Sequence, residues 1–160
     1  MGEIDWTVAL VAGGVAFACA MAGGVLTRIG PWYYSLTKPS FQPPDWAFAP
    51  AWTVIFALAA LSGYLAWQAA EGGERTLVFV LYLSNAVINA AWSGIFFTLR
   101  RPDWALYEVA LLWLSVLAII LLVWPISALA AQLLIPYLAW VSFAAVLNWA
   151  VVRLNAPFSA

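Results

Sequence analysis

Charged residues fall in short clusters along this chain, and the stretches between them are almost wholly apolar. Uncharged runs cover 6–27, 46–70, 76–99 and 109–152, lengths of 22, 25, 24 and 44 residues. A helix needs about 20 apolar residues to cross the hydrocarbon of a bilayer. Three runs fit one crossing each and the fourth fits two. Near the middle of the fourth, Trp124-Pro125-Ile126-Ser127 supplies the proline and serine that turn a chain. Extending its first half back to Trp104 predicts five helices, near 6–27, 48–70, 76–99, 104–124 and 128–152, with a longer loop over 28–47. Residues 1–160 read as a single all-α integral membrane domain, a five-transmembrane-helix bundle.

Within these segments the polar residues keep helical spacing. The third carries Asn85, Asn89, Trp92 and Phe96 at steps of four, three and four, which share one face. The fifth repeats the pattern with Tyr137, Trp140, Ala144 and Asn148. Amides in hydrocarbon are costly without partners. These faces therefore either hydrogen-bond neighbouring helices or wall an interior pocket. Small residues form a separate stripe, Ala86, Ala90 and Gly94, matched on the first segment by Ala12, Ala16, Ala20 and Gly24. Such stripes let helices approach closely, within one chain or across a homodimer seam.

The loop over 28–45, RIGPWYYSLTKPSFQPPD, is long for a compact bundle and dense in proline and aromatic rings. Loops of this length are usually lids or binding segments when they are not disordered. So many rings and prolines favour a stiff lid, with a belt of rings at headgroup level as the alternative.

Composition narrows the chemistry. Hydrophobic residues make up 66% of the chain and charged residues 8%, with mean hydropathy +0.96. Soluble domains carry about 25% charge, so lipid is the main solvent. Acidic Glu3 and Asp5 stand where a secretory signal would be basic, so the first segment is expected to remain as a helix. There is no histidine and one cysteine, Cys19, which excludes His-based catalytic sets, His-ligated metals and internal disulfides. Net charge −1 with no basic run excludes nucleic-acid binding. Five crossings put Arg28, Lys38, Arg100, Arg101 and Arg153 on one side and Arg75 alone on the other. Short loops rich in Lys and Arg stay cytoplasmic, so the C-terminus is expected inside and the N-terminus outside. Glu108 is the one acid clearly at membrane depth, where the helix dipole and Arg100 or Arg101 are expected to support it.

The stretch WYYSLTKPSFQPPDWAFAPAWT (32–53) resembles the signature of the translocator protein / tryptophan-rich sensory protein family, TspO/MBR. NAVINAAWSGIFF (85–97) and PYLAWVSFAAVLNWAVVRLN (136–155) are similar to its third and fifth helices, so the resemblance covers essentially the whole chain. It implies a five-helix bundle, often a homodimer, with a cavity under the first loop that binds protoporphyrin and other flat hydrophobic ligands. Carried onto matching positions, the ligand site would use Tyr33 and Pro43 from the lid and Trp52 from the second helix. Asn85, Asn89 and Trp92 would come from the third, and Trp140, Phe143, Ala144 and Asn148 from the fifth. Two departures stand out. Trp149 occupies the tyrosine position of the cholesterol-recognition segment of animal members, which weakens the case for a sterol, and Phe41 stands where many relatives have tryptophan.

The resemblance implies a membrane receptor or sensor for porphyrin, linked to tetrapyrrole or stress regulation, in a bacterial-type cell membrane. Porphyrin is the ligand and no cofactor is required. The partners expected are the bilayer, a hydrophobic small molecule and a second copy of the chain. The alternatives are light-dependent oxidative degradation of porphyrin, attributed to some bacterial relatives, and transport. For the first the sequence offers no acid–base pair, and for the second no intramembrane ion pair or broken-helix repeat.

Overall fold

In the computed structural model, which describes residues 4–158, the predicted segments are helices and no strand occurs among the described residues. The ends of the domain, with Glu3 and Ala160, lie outside the described residues. The helices are α1 (Trp6–Leu26), α2 (Pro31–Ser35), α3 (Phe48–Ala69), α4 (Gly73–Ser93), α5 (Pro102–Val123), α6 (Ala128–Gln132) and α7 (Ile135–Asn155). Among the described residues five stretches are long and apolar enough to cross a membrane: α1; α3 with its leading turn; α4 with its trailing turn; α5; and α6 together with α7. The chain is an integral membrane protein.

Local chemistry sets the helix ends. Asp5 caps α1, accepting from the Val8 amide at 3.2 Å, and Thr27 closes it by donating its hydroxyl to the Gly23 carbonyl at 2.7 Å. A 3-10 turn, Asp45–Ala47, leads into α3. Gly72, with φ +51°, makes the reversal between α3 and α4 that a side chain would strain. Pro102 opens α5, where its missing N–H costs nothing.

Two departures from the predicted helices have physical causes. The third segment does not stay α-helical to 99: Gly94–Thr98 widens into a π turn, and the Leu99 amide reaches back to the Gly94 carbonyl. The fifth is not continuous over 128–152. Pro136 cannot donate a backbone bond, so α6 ends at Gln132 and α7 restarts at Ile135 and runs to Asn155.

The helices close into a ring: α1 packs on α3 and α4, α4 on α5, α5 on α7, and α6 with α7 on α3. The core follows α5, where Val109, Leu112, Val116, Ile119 and Val123 are buried against Ile55, Ala66, Tyr137 and Val141. By contrast α1 buries only Cys19. The α4 stripe of small residues faces α1 within the chain. The Cys19 thiol points to the Ala86 carbonyl at 3.4 Å, and a Cβ on Gly94 would contact Leu26. Ala86 and Gly94 of the suggested dimer seam thus face α1 of the same molecule, and Ala90 lies half-buried between them.

Candidate functional site

At one end of the bundle lies a cavity of about 530 Å³, bounded by α1, α3, α4, α5 and α7 and roofed by the first loop. The walls are mostly rings. Trp52 is stacked on Phe56 at 5.4 Å and set edge-on to Trp140 at 6.4 Å, while Trp92 lies against Phe96 at 5.1 Å. Gly23 and Gly24 of α1 form the remaining side without bulk. Polar groups gather at the roof. Tyr33, 8% exposed, donates to an Asp45 carboxylate oxygen at 3.2 Å and accepts from the Gln42 amide at 3.1 Å. The Lys38 ammonium sits 3.8 Å from the centre of the Tyr33 ring. Burial, then the Asp45 carboxylate, push the Tyr33 phenol up to about 12.

The roof is fastened on both flanks. Asn155, ending α7, accepts from the Thr37 amide and donates to the Thr37 carbonyl, both at 2.8 Å, which pairs it with the loop as one strand pairs with another. On α2, Trp32 packs edge-on to Phe96 and Tyr33 lies against Phe97. Across the loop, Phe41 meets Phe143 of α7 at 6.5 Å. The loop is an ordered lid.

Of the ten ligand residues expected from the sequence, Tyr33, Trp52, Asn89, Trp92, Trp140, Ala144 and Asn148 line this cavity. Three do not. Pro43 stands aside because its neighbours Gln42 and Asp45 take the inward positions beside Tyr33. Phe143 is on the outer side of α7, along a shallow groove with Pro50 and Val54, where it props the lid through Phe41. Asn85 lies one turn too deep. Its amide donates to the Ser115 hydroxyl at 2.8 Å and its carbonyl accepts from Tyr137 at 3.1 Å.

The other amides also bind protein. Asn89 donates to Tyr137 at 2.8 Å, and Asn148 accepts from the Trp92 indole at 3.2 Å while donating to the Pro102 carbonyl at 2.8 Å. Asn148 therefore ties α4, α5 and α7 together and fixes the Trp92 ring in the wall. Both alternatives for these amides hold at Asn89 and Asn148, which join helices and line the cavity. Lys38, Gln42 and Asp45 were not singled out from the sequence. Lys38 and Asp45 carry a signal as the loop's charges that follow Tyr33 in sequence, within the dense proline pattern, whereas Gln42 carries none.

Arg101 does not support Glu108 as expected, because it pairs with Asp103 and covers the Trp104 ring. Both Glu108 carboxyl oxygens are buried without a hydrogen-bond partner among the described residues. No three His, Cys, Asp or Glu side chains converge to hold a metal among those residues. The site offers ring stacking at depth and mixed charge at its mouth.

Comparison with known proteins matches this arrangement along the chain. Residues 7–154 match the model of the TspO/MBR family. The protein CrtK of Rhodobacter capsulatus is 38% identical over 142 residues, 88% of this chain and 89% of its own. The tryptophan-rich sensory protein of Cereibacter sphaeroides is 34% identical over 153 residues, covering 96% and 94%. The human translocator protein is 38% identical over 126 residues, covering 78% and 75%. With the lid, the ring-walled cavity and all but the outermost residues of the five spans inside the matched region, the chain belongs to the TspO/MBR family.

Proposed function

We propose that this chain is a membrane receptor that binds protoporphyrin and similar flat hydrophobic ligands beneath the Tyr33 lid, and that binding is its sensory input. The observation that carries the reading is the polarity of the cavity: Trp52, Trp92 and Trp140 at depth, and Lys38, Gln42 and Asp45 at the mouth. A flat macrocycle with acidic edge groups matches it, with its face against the rings and its carboxylates toward Lys38. The volume is in the range of sites for small organic ligands, about 300–1,000 Å³. With no histidine in the chain, the usual strong axial ligand of haem iron is absent. Metal-free protoporphyrin should bind at least as well as haem.

The receptor works as a homodimer with its C-terminus in the cytoplasm of a bacterial-type cell. Five of six basic residues then lie inside. A reporter fused after Ala160 should be cytoplasmic and one near Gly72 external.

Titration of the purified protein with protoporphyrin, first dark and then illuminated, tests the reading. Saturable quenching of tryptophan fluorescence in the dark, weakened by Trp140→Phe, is the expected result. New absorption bands under light would assign turnover instead. Haem binding far tighter than free porphyrin, with the spectrum of strong axial ligation, would overturn the site.

A further inference from the structure

A second cavity, about 280 Å³, occupies the opposite half of the bundle between α1, α3 and α4. It is walled by Val8, Val11, Ala12, Ala16, Ala60 and Phe79 among others, and shares only Phe56 with the lid-side cavity. A polar septum divides the two: the Cys19 thiol points to Asn89, Asn89 donates to Tyr137, Tyr137 to Asn85, and Asn85 to Ser115. We propose that this cleft is a separate lipid site that takes one acyl chain of a phospholipid from the leaflet on the Arg75 side, with the phosphate near Arg75.

Three observations support that occupant. At the deep end every polar side chain is already bonded within the protein: Cys19, Asn85 and Tyr137 in the septum, and Tyr82 with the Ser62 hydroxyl. A guest with polar groups there would find no use for them, and a hydrocarbon chain needs none. The depth also fits. From Thr7 at one end to Cys19 at the other is about 18 Å at 1.5 Å per residue, against about 15 Å for half of a 30 Å hydrocarbon core. The cleft thus runs from headgroup level to the bilayer midplane, the span of one leaflet. The third observation is charge. Trp67 lines the shallow end, and the exposed Arg75 guanidinium lies over its ring at 5.7 Å while donating through Nε to the Ala70 carbonyl. Among the described residues Arg75 has no carboxylate partner. Glu71 and Glu74 flank it in sequence, but the Glu74 carboxylate accepts from the Glu71 amide. Val11, Phe79 and Leu83, exposed on the bundle surface, edge the opening through which a chain would enter from the bilayer.

The test uses the full chain in lipid nanodiscs containing phosphatidylglycerol with a photoreactive diazirine near the end of one acyl chain, and mass spectrometry to locate the adducts. Adducts should concentrate on the cleft walls between Ala12 and Cys19 and between Phe56 and Gly63. Ala12→Phe should fill the space and lower that labelling at least fivefold, with Ala12→Leu as a milder variant should the first not fold. Arg75→Gln should reduce labelling by phosphatidylglycerol toward the level given by phosphatidylcholine. Adducts spread evenly over lipid-facing residues such as Phe17 and Leu121, unmoved by either Ala12 variant, would overturn the cleft as a site. Equal labelling by diazirine-tagged palmitate and by phosphatidylglycerol, indifferent to Arg75→Gln, would overturn the phospholipid. Because the readout is a covalent map, it does not depend on porphyrin binding.

Discussion

Two helices of this bundle are nearly alike in length and hydropathy and opposite in role. α1 and α5 have 21 and 22 residues, and each is apolar enough to cross a membrane. Yet α5 buries eight residues along its length, whereas α1 buries Cys19 alone. In lipid, apolar character earns no burial by itself, because the surroundings are as apolar as the side chains. What separates the two is shape. On α5 the valines and isoleucines interlock with three neighbours, while the alanines and glycines of α1 cover two cavities without filling either. One helix is the keel of the bundle and the other its cover.

The sharpest way to break this comparison is to truncate one large residue on each helix. Ile119→Ala on α5 should destabilise the protein by about 2–5 kcal/mol, read as a clear loss in thermal midpoint in detergent. Phe17→Ala on α1, 68% exposed, should stay within about 0.5 kcal/mol. Similar losses for both would make α1 as structural as α5.

How much of this difference was legible in the sequence follows from what periodicity measures. Charge clusters fence the apolar runs, so the five predicted segments end within a few residues of the helical stretches long and apolar enough to cross a membrane. Spacing gives the direction a side chain faces around a helix, and the Trp92 and Trp140 faces do meet. Spacing does not give depth along the axis. The Asn85-to-Phe96 stripe is about 16 Å long at 1.5 Å per residue, and the cavity floor falls between Asn85 and Asn89, so the upper part of the stripe faces the ligand space and Asn85 the septum. Phe143 was misplaced for a related reason. Three residues is about 300° around the helix, which leaves the two side chains only about 60° apart; Trp140 borders both the cavity and the outer groove, and Phe143, its ring 5.7 Å away, falls just past that border. The π turn and the gap before Pro136 depend on local backbone choices that hydropathy averages away.

A second contrast, between the lid's hydrogen-bonded clasp and its ring contacts, gives a smaller effect. Asn155→Ala removes both bonds to Thr37, a net loss of about 1–3 kcal/mol at 0.5–1.5 kcal/mol each. It should appear as faster ligand dissociation in stopped-flow fluorescence, with little change in the thermal midpoint. Unchanged dissociation would mean that the ring contacts, Phe41–Phe143 together with Trp32–Phe96 and Tyr33–Phe97, hold the lid without the clasp.

The smallest expected effect is a pH dependence. Tyr33 titrates from 10.0 in the unfolded chain to about 12 in place. Below pH 10 both states hold the proton and the lid is indifferent to pH. Between about pH 10 and 12 the unfolded chain loses its proton first, so stability falls with rising pH across that window. Tyr33→Phe should remove one tyrosine from the late-titrating part of the tyrosinate absorbance curve, and loss of one that titrates near pH 10 instead would mean an open, solvated lid.

The clasp between Thr37 and Asn155 joins residues 118 positions apart, one on the lid and one on the last turn of α7. A lid so held cannot rise alone. It must either break two hydrogen bonds or lift the chain's final helical turn with it. The end of α7 is therefore a mechanical pointer: whatever grips residues 153–155 on the basic side of the membrane feels whether the cavity is open, without any contact with its contents.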